Sequence, residues 1–313
     1  MIQKIFEIRA IQIFCAADIV LLTLSMIFTP QAMVFMVLSN YAVHFMFLLM
    51  LSSIFFLILN NRPLLFISLI CCGMLAWHLR RSANQEIQYA PMTDKPSICV
   101  IQLNTSNIPE DPSIIRDIIL NENADLVTIQ EMTPYWASIM DTILLDSFPH
   151  KASMVRIDPY GMKFYSKKKI LGSDTLFIDG LPVFVAKVLI SRLDTVSLYG
   201  LYPVSIDNIA SFSKLGKQLT KVATHIIESP NPGIIAGDFN VVPWNAEIQK
   251  FKYLTGFSDC RREYIPANIS DFTIEKLPME HIFCSDHFNC RGFKTINLEN
   301  GTYLGVKAEF QLN

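Results

Sequence analysis

Polar side chains able to bind a metal ion or a phosphate follow three separate apolar runs of the sequence. Asn104 ends the run CVIQLN, Glu131 ends LVTIQE, and Asp238 and Asn240 end GIIAGDFN. Strand ends that meet at one edge of a sheet can bring such groups together. Glu131 suits Mg²⁺, a hard cation that takes oxygen ligands. Asp238 and Asn240 are separated by one residue and point to the same side of an extended strand, where both could act on a phosphoryl oxygen or an attacking water.

Each of these residues also has a purely structural explanation. Asp and Asn side chains cap turns after strands, which would account for Asp238 and Asn240. Glu131 could be an exposed residue or the cap of a following helix, and Asn104 could make a hydrogen bond at a strand end. Only the rest of the sequence can distinguish a structural from a functional role for these residues.

The elements that would position these residues alternate between short apolar runs and helical patterns from residue 97 onward. Helical periodicity fits residues 112–123, 134–145, 206–228 and 244–254, with strand-like runs between them. Strands with interspersed helices favour an α/β layered fold. Periodicity alone leaves open which α/β fold this is.

The N-terminal quarter of the chain is much more apolar than the rest. Between Arg9 and Arg62 the only formally charged residue is Asp18. Because apolar stretches of roughly 17–25 residues cross a bilayer as helices, the sequence predicts three membrane-spanning helices. Their predicted ranges are residues 10–28, 41–59 and 63–79. Residues 32–38 are also apolar, so the second span could start earlier or be preceded by an interfacial segment.

A cleavable signal peptide is the competing interpretation of the first apolar stretch. Two more apolar stretches follow it, and no small-residue cleavage site stands out after Phe28. We therefore expect a membrane domain over residues 1–81, a polar linker over 82–96 and one further domain over 97–313.

Basic residues around the apolar stretches predict an orientation. Lys4 and Arg9 precede the first stretch, Arg62 lies between the second and third, and Arg80 and Arg81 follow the third. The positive-inside rule then favours an N-terminus in the cytoplasm. With three spans through the cytoplasmic (inner) membrane, residues 97–313 would lie outside the cytoplasm.

Charge argues against a dedicated nucleic-acid-binding protein, and the cysteine spacing fits no zinc-binding pattern. The chain has 26 basic and 28 acidic residues, so it lacks the basic excess of a dedicated nucleic-acid-binding protein. The spacing of its 7 cysteines fits no zinc-binding pattern. A disulfide would be permitted in an oxidising compartment, but the sequence does not require one.

Several motifs together resemble the endonuclease/exonuclease/phosphatase superfamily, and in particular its bacterial membrane-anchored branch. They are VIQLNTSN, ADLVTIQEMTP, YGMKFYSK, GIIAGDFNVVPWNAEI and PMEHIFCS, in the order and rough spacing of that family. The resemblance covers essentially all of residues 97–313. It implies an α/β fold in which two packed sheets are flanked by helices, a four-layer αββα sandwich.

The resemblance also implies roles for the polar residues. Glu131 matches a metal-binding glutamate and Asn104 its partner near the metal, which would be Mg²⁺ or Mn²⁺. Asp238 would orient or deprotonate the attacking water, with Asn240 beside it on the phosphate. The implied reaction is metal-dependent hydrolysis of a phosphoester bond.

Three positions depart from the family pattern. Tyr202 stands where the family usually has a histidine. Glu280 stands in place of a metal-side aspartate, although His281 after it matches. The terminal Ser-Asp-His of the family aligns with Gly301, Thr302 and Tyr303.

A literal Ser-Asp-His occurs at residues 285–287, directly after the Glu280 strand. The family leaves a further strand between these two features. We therefore expect residues 285–287 to form a loop, the alternative being a rearranged C-terminus that carries Asp286 and His287 to the site.

Two functions are consistent with this pattern. The first is a membrane-anchored phosphoesterase, impaired by its substitutions, in which His281, Tyr202 and Tyr303 join Asp238 and Asn240. Its expected substrate is a lipid-linked or small phosphoester rather than bulk DNA. The second is a catalytically degenerate pseudoenzyme that binds a partner, such as a membrane protein, as a scaffold. Whether the protein is an enzyme stays open at this stage.

Overall fold

The computed structural model describes residues 6, 8–30, 32–84, 95–109, 111–191, 194–205, 208–262 and 277–313. The described residues fall into two compact units. The first contains residues up to Ala83, and the second runs from Asn84 to Arg262 and from Pro278 to Asn313. The predicted linker, residues 82–96, falls largely outside the described residues.

The first unit consists of helices whose sequence is almost entirely apolar. They are α1 (Arg9–Phe28), α2 (Met33–Asn40), α3 (Ala42–Ile58) and α4 (Arg62–Ser82). The Asn61 side chain caps the start of α4 by accepting a hydrogen bond from Leu64 N. Arg80 and Arg81 lie in the last turn of α4, where a positive charge complements the helix dipole.

Two of these helices, α1 and α4, are long and apolar enough to cross a membrane. Helices α2 and α3 pass the same test only together, and they are bent by 75° at the break between them. The structure therefore supports two spans, or up to three if the bent pair is one span. The prediction of three spans is confirmed only in this coarser form.

The second unit contains two six-stranded sheets. In chain order its strands are β1 (Ser97–Asn104), β2 (Leu126–Gln130), β3 (His150–Met154), β4 (Met162–Ser166), β5 (Ile170–Ile178), β6 (Leu181–Leu189), β7 (Thr195–Gly200), β8 (Gly233–Asp238), β9 (Ser258–Asp259), β10 (Glu280–Cys284), β11 (Phe288–Asn297) and β12 (Tyr303–Leu312). Sheet 1 has the order β11-β12-β1-β2-β4-β3, and sheet 2 has the order β5-β6-β7-β8-β10-β9.

Four helices cover the outer faces of the two sheets. Helices α5 (Ser113–Asn121) and α6 (Pro134–Leu144) pack on sheet 1, and α7 (Ile209–Ile227) and α8 (Ala246–Thr255) pack on sheet 2. A separate apolar core lies between the sheets. These helices coincide with the predicted helical ranges, and the predicted four-layer αββα architecture is confirmed.

The only parallel pairs among the described strands place four strand ends at one edge of the two sheets. Strand β1 is parallel to β2, and β7 is parallel to β8, with a helix connecting each pair. Parallel strands joined in this way end on the same side of their sheet. Strands β10 and β12 run antiparallel to β8 and β1, so they begin at this same edge. We call this edge the rim.

Candidate functional site

Side-chain alternation determines which residues point between the sheets at the rim. In β8, Ile234 and Ala236 belong to the core between the sheets, whereas Ile235 packs under the helices. Asp238, two residues beyond Ala236, therefore points between the sheets. Ile98 and Val100 of β1 also belong to this core, so the same alternation directs Asn104 into the space between the sheets.

Glu131 lies at the rim directly after β2, and two neighbours orient its carboxylate. Asn104 Nδ2 donates to Glu131 Oε1 at 2.9 Å, and the Tyr202 hydroxyl donates to the same oxygen at 2.8 Å. The other carboxylate oxygen accepts no hydrogen bond from the described residues. Oε2 is therefore available to a ligand.

The backbone of Glu131 adopts a left-handed conformation with φ of 56°. This region is uncommon for residues other than glycine, and such outliers cluster at functional sites. The Thr105 hydroxyl donates to Glu131 O at 3.0 Å and so holds the turn. The conformation turns the chain sharply at the end of β2, immediately after the last residue of the buried strand.

Asp238 is partly buried between the two sheets. The backbone N–H of Asn240 donates to Asp238 Oδ1 at 2.9 Å, and strand register places Glu280 directly opposite Asp238. Burial raises the pKa of the Asp238 carboxyl to about 7, with a further contribution from the negative charge of Glu280. At neutral pH this carboxyl is therefore poised to exchange a proton.

Asn240 shares the left-handed backbone conformation, with φ of 56°. Its Nδ2 donates to Pro203 O at 3.0 Å, which joins the loop after β8 to the loop after β7. Gly237, three residues earlier, lies against the backbone of the neighbouring loop. A Cβ on Gly237 would lie 1.9 Å from Leu201 O, so only glycine fits there. In GDFN, backbone geometry therefore accounts for the glycine and favours the asparagine.

Gln130 connects the two sheets beneath the rim, and sequence reasoning did not select it. Its Nε2 donates to Leu201 O at 2.6 Å, and its Oε1 accepts from Asp238 N at 2.8 Å. Gln102 Nε2 donates to the same oxygen at 2.8 Å. A signal was available, because Thr128 and Gln130 place polar residues at alternate positions of an otherwise apolar strand.

Glu280, which begins β10 of sheet 2, and Tyr303, which begins β12 of sheet 1, both lie at the rim. Burial raises the pKa of the Tyr303 phenol, and the neighbouring Glu280 carboxylate raises it further. Arg261 Nη2 donates to Glu280 O at 3.1 Å, and its guanidinium lies 4.6 Å from the centre of the Phe293 ring. Tyr303 therefore stays protonated near neutral pH, and its hydroxyl can donate a hydrogen bond.

Tyr202 lies at the rim, where its hydroxyl donates to Glu131. Burial raises the pKa of its phenol, and the hydrogen bond to Glu131 raises it further. The Tyr160 ring meets the Tyr202 ring edge-on at 6.1 Å between centroids. Tyr202 is thus a fixed, protonated donor to Glu131.

The structure does not bring His281 to the rim. Its ring is fully buried on the outer face of sheet 2, stacked on Phe283 at 5.2 Å between ring centroids. Its Nδ1 lies 2.9 Å from Asp259 Oδ2, and its Nε2 lies 2.9 Å from Val241 O. Because adjacent residues of a strand point to opposite faces, Glu280 and His281 cannot both face the space between the sheets.

The literal Ser-Asp-His lies at the far end of β10 from the rim. Ser285 Oγ accepts a hydrogen bond from Gly233 N, at the start of β8. Asp286 and His287 form a largely exposed pair on the turn before β11. Residues 285–287 therefore form a loop, as we expected.

The donor set of the rim fits a divalent cation that keeps part of its water shell. Within the ranges that the structure describes, no group of three or more His, Cys, Asp or Glu residues forms a closed metal cage. Mg²⁺ is commonly held by one or two carboxylates together with substrate phosphate and water. The charges of Glu280 and Glu131 both raise the pKa of Asp238, so the rim carries negative charge that a cation would relieve.

The family model that matches this chain is described as the Endonuclease/Exonuclease/phosphatase family, and the match spans residues 101–301. The chain belongs to this family. Enzymes of the family generally depend on a divalent metal. No curated protein matches the chain significantly.

Solved structures with the same fold include three that cover about the same part of this chain. A humanized D. rerio TDP2 is 18% identical with a TM-score of 0.55, covering 69% of this chain and 99% of that one. A family member from Beutenbergia cavernae is 14% identical with a TM-score of 0.58, covering 70% and 72%. The human Nocturnin catalytic domain is 14% identical with a TM-score of 0.52, covering 71% and 97%. At these identities the likeness concerns the fold alone.

Proposed function

We propose that the protein hydrolyses phosphoester bonds by attack of water at the rim. The observation that carries the proposal is the orientation of the Glu131 carboxylate by Asn104 and Tyr202, at the edge where Asp238 and Asn240 also lie. A purely structural role would not require a carboxylate in a left-handed backbone conformation at the end of a buried strand.

Asp238 is the group that takes the proton from the attacking water. Its pKa of about 7 leaves a substantial ionised fraction at neutral pH. Because Asn240 N holds Oδ1, the other carboxylate oxygen is left to face the water. The side-chain amide of Asn240, which donates to Pro203 O, is the group we assign to contact with a phosphoryl oxygen.

Glu131, with Asn104 beside it and Glu280 on the other sheet, would hold Mg²⁺ or Mn²⁺. Such an ion, when bound, stabilises negative charge on phosphoryl oxygens. Tyr202 fixes the Glu131 carboxylate for this purpose. The identity of the metal is part of the proposal.

The rim differs from the family pattern in the groups that can protonate a leaving oxygen. Tyr202 and Tyr303 replace imidazoles, and among the described residues no histidine faces the rim. Loss of a general acid–base group typically lowers a rate by roughly 10²–10⁴. We therefore expect a slow phosphoesterase, with Tyr303 as the donor beside Glu280.

Membrane attachment belongs to the same proposal. Helices α1 and α4 would anchor the chain in the cytoplasmic membrane, with the second unit outside the cytoplasm. A lipid-linked or small phosphoester is then the favoured substrate. The absence of a basic excess argues against bulk DNA.

The test is an assay of the full-length protein in detergent with bis(4-nitrophenyl) phosphate and 4-nitrophenyl phosphate, in Mg²⁺ or Mn²⁺. Asp238→Asn should lower the rate at least tenfold, because it removes the base without changing the shape of the side chain. The matched control is Asp117→Asn, which alters an exposed carboxylate on α5. Equal rates for wild type and Asp238→Asn on both substrates would overturn the proposal.

The second candidate is a pseudoenzyme that binds a membrane-protein partner or a phosphorylated ligand without turnover. The buried, doubly hydrogen-bonded position of His281 and the tyrosines at the rim favour it. In the same assay it predicts no turnover above Asp238→Asn, together with a rise in melting temperature on adding Mg²⁺ or Mn²⁺. Glu131→Gln should abolish that rise, whereas Glu299→Gln, an exposed control, should retain it.

A further inference from the structure

One arginine of the second unit is buried at the rim with most of its hydrogen-bond donors unused. Arg261 follows β9 and is only 8% exposed. A guanidinium carries five N–H donors, and in Arg261 Nη2 donates to Glu280 O at 3.1 Å. The Nε atom is buried and has no acceptor in the part of the chain that the structure describes.

The positive charge of Arg261 also lacks an anion in contact with it. Its neighbour Asp259 is committed elsewhere, because Oδ1 accepts from the Arg261 backbone N–H and Oδ2 lies 2.9 Å from His281 Nδ1. By contrast, the more exposed Arg156 donates from both Nε and Nη2 to the carboxylate of Asp158. Because a buried charge without a partner is costly, the surroundings of Arg261 favour a site that an anionic ligand completes.

Arg261 lies close to the residues assigned to the reaction. Glu280, whose carbonyl oxygen it contacts, is directly opposite Asp238 in the strand register. Burial raises the pKa of the Tyr303 phenol, the charge of Asp238 raises it further, and the charge of Arg261 lowers it. Both charged groups therefore act on Tyr303 at the rim.

The guanidinium of Arg261 is held in place without a ligand. It lies 4.6 Å from the centre of the Phe293 ring, a cation–π contact with a residue of β11 in sheet 1. The hydrogen bond to Glu280 O fixes it to β10 in sheet 2. A donor group positioned in advance loses less conformational entropy when a ligand binds.

Positive charge is what the rim needs for an anionic substrate. Of the rim residues described above, Glu131, Asp238 and Glu280 are acidic, and Arg261 alone is basic. The planar guanidinium can donate two parallel hydrogen bonds to a phosphoryl group. It carries no proton that it could release near neutral pH, so it binds the phosphoryl oxygens while the leaving oxygen still needs a donor such as Tyr303.

We propose that Arg261 is a phosphate-binding residue of the rim, whose unused N–H groups donate to non-bridging oxygens of a phosphoryl group. That this phosphoryl group belongs to a substrate rests on the proposed function; anion binding by Arg261 does not. The guanidinium then supplies positive charge at a rim where Tyr202 and Tyr303 stand in place of imidazoles.

The first measurement is independent of turnover. Isothermal titration calorimetry of the full-length protein in detergent and Mg²⁺ gives the Kd of inorganic phosphate. Arg261→Met removes the charge and should raise this Kd at least tenfold. Arg261→Lys keeps the charge without the planar fork and should raise it at least threefold. The matched control is Arg116→Met, which alters an exposed arginine on α5 and should leave the Kd unchanged.

Wild-type protein that binds no phosphate, or an Arg261→Met protein that binds it as tightly as wild type, would overturn the proposal. A Kd raised equally by Arg116→Met would indicate a general charge effect and would also overturn it. If Arg261→Met shows no cooperative thermal unfolding, Arg261→Lys decides, and a Kd within threefold of the wild-type value then counts against the proposal.

The second measurement separates this inference from the proposed function. Arg261→Met should lower kcat/KM for bis(4-nitrophenyl) phosphate at least tenfold per folded molecule, and Arg261→Lys should restore part of it. Hydrolysis that depends on Asp238 but not on Arg261 would support the proposed function and refute the role of Arg261. Phosphate binding that depends on Arg261, in a protein that hydrolyses neither substrate, would support the anion site and refute the proposed function.

Discussion

Asp238 owes its raised pKa to the fold around it. The two sheets partly bury its carboxyl, and the opposing Glu280 adds a like charge. Both effects favour the protonated form. The same burial that would make the residue a base near neutral pH therefore costs stability when the carboxyl is ionised.

This cost gives a pH-dependent prediction. A carboxyl whose folded-state pKa is raised stabilises the fold most below its unfolded pKa, near 4, and loses that contribution as the pH rises through about 7. We compare the free energy of unfolding of Asp238→Asn with that of wild type, without divalent metal. The difference should shift in favour of the variant by about 1 kcal/mol or more from pH 5 to pH 8. Thermal unfolding in a chelator at both pH values measures this.

The control for this experiment is Asp117→Asn, which makes the same substitution at an exposed position of α5. If the advantage of Asp238→Asn were the same at both pH values, the raised pKa of Asp238 would be contradicted.

At the scale of elements, β2 and β8 belong to different sheets, and side chains join the two sheets at the rim. Gln130 reaches from β2 to Leu201 O and Asp238 N of sheet 2, and it accepts a further hydrogen bond from Gln102 of sheet 1. The Tyr202 hydroxyl, from the loop after β7, donates to Glu131. The core between the sheets is otherwise mostly apolar and gives no directional constraint. Of these two contacts, Gln130 is the one that holds the backbone of Asp238.

Gln130→Met tests this bridge, because methionine is similar in length and cannot hydrogen-bond to the rim. It leaves Leu201 O and Asp238 N without their partner, at a cost of roughly 1–3 kcal/mol for each buried group. The melting temperature should fall, and phosphodiester hydrolysis per folded molecule should fall at least tenfold.

Gln218→Met is the matched control. Gln218 is equally buried, but it lies on α7 and donates only to Asp179 O at 3.4 Å. Its replacement should cost less stability and leave hydrolysis intact. A Gln130→Met protein with wild-type activity per folded molecule would show that the bridge does not position the site.

At the scale of the whole molecule, the sequence was sufficient to predict the layered α/β unit and the residues that end its central strands. Those strands are mostly apolar runs followed by Asn104, Glu131 and Asp238, so the sequence showed where each strand ends. Gln130 was missed because its partners lie in the other sheet, and no local pattern shows which backbone atoms a buried amide will meet.

The position of His281 illustrates a different limit. The motif match favoured it as a catalytic residue, yet alternation along β10 puts Glu280 and His281 on opposite faces. Its stacking on Phe283 and its contact with Asp259 depend on sheet register, which motifs do not reveal. Similarly, the 75° break between α2 and α3 follows no proline or glycine, so the middle span could not be judged from sequence.

The number of spans has a measurable consequence. If the bent pair α2–α3 crosses the membrane, the two ends of the chain lie on opposite sides; if it does not, they lie on the same side. Following the basic residues, we expect opposite sides, with the N-terminus in the cytoplasm. Fusions of alkaline phosphatase and of a cytoplasmic fluorescent protein to each end measure this. Activity of the same reporter at both ends would contradict three spans.

The left-handed backbone of Glu131 has an energetic consequence. This conformation costs a residue with a Cβ roughly 1–2 kcal/mol of strain that glycine would avoid. The hydrogen bonds from Asn104 and Tyr202 to the Glu131 carboxylate offset part of that strain. The fold therefore holds a carboxylate at a backbone position that would suit glycine better.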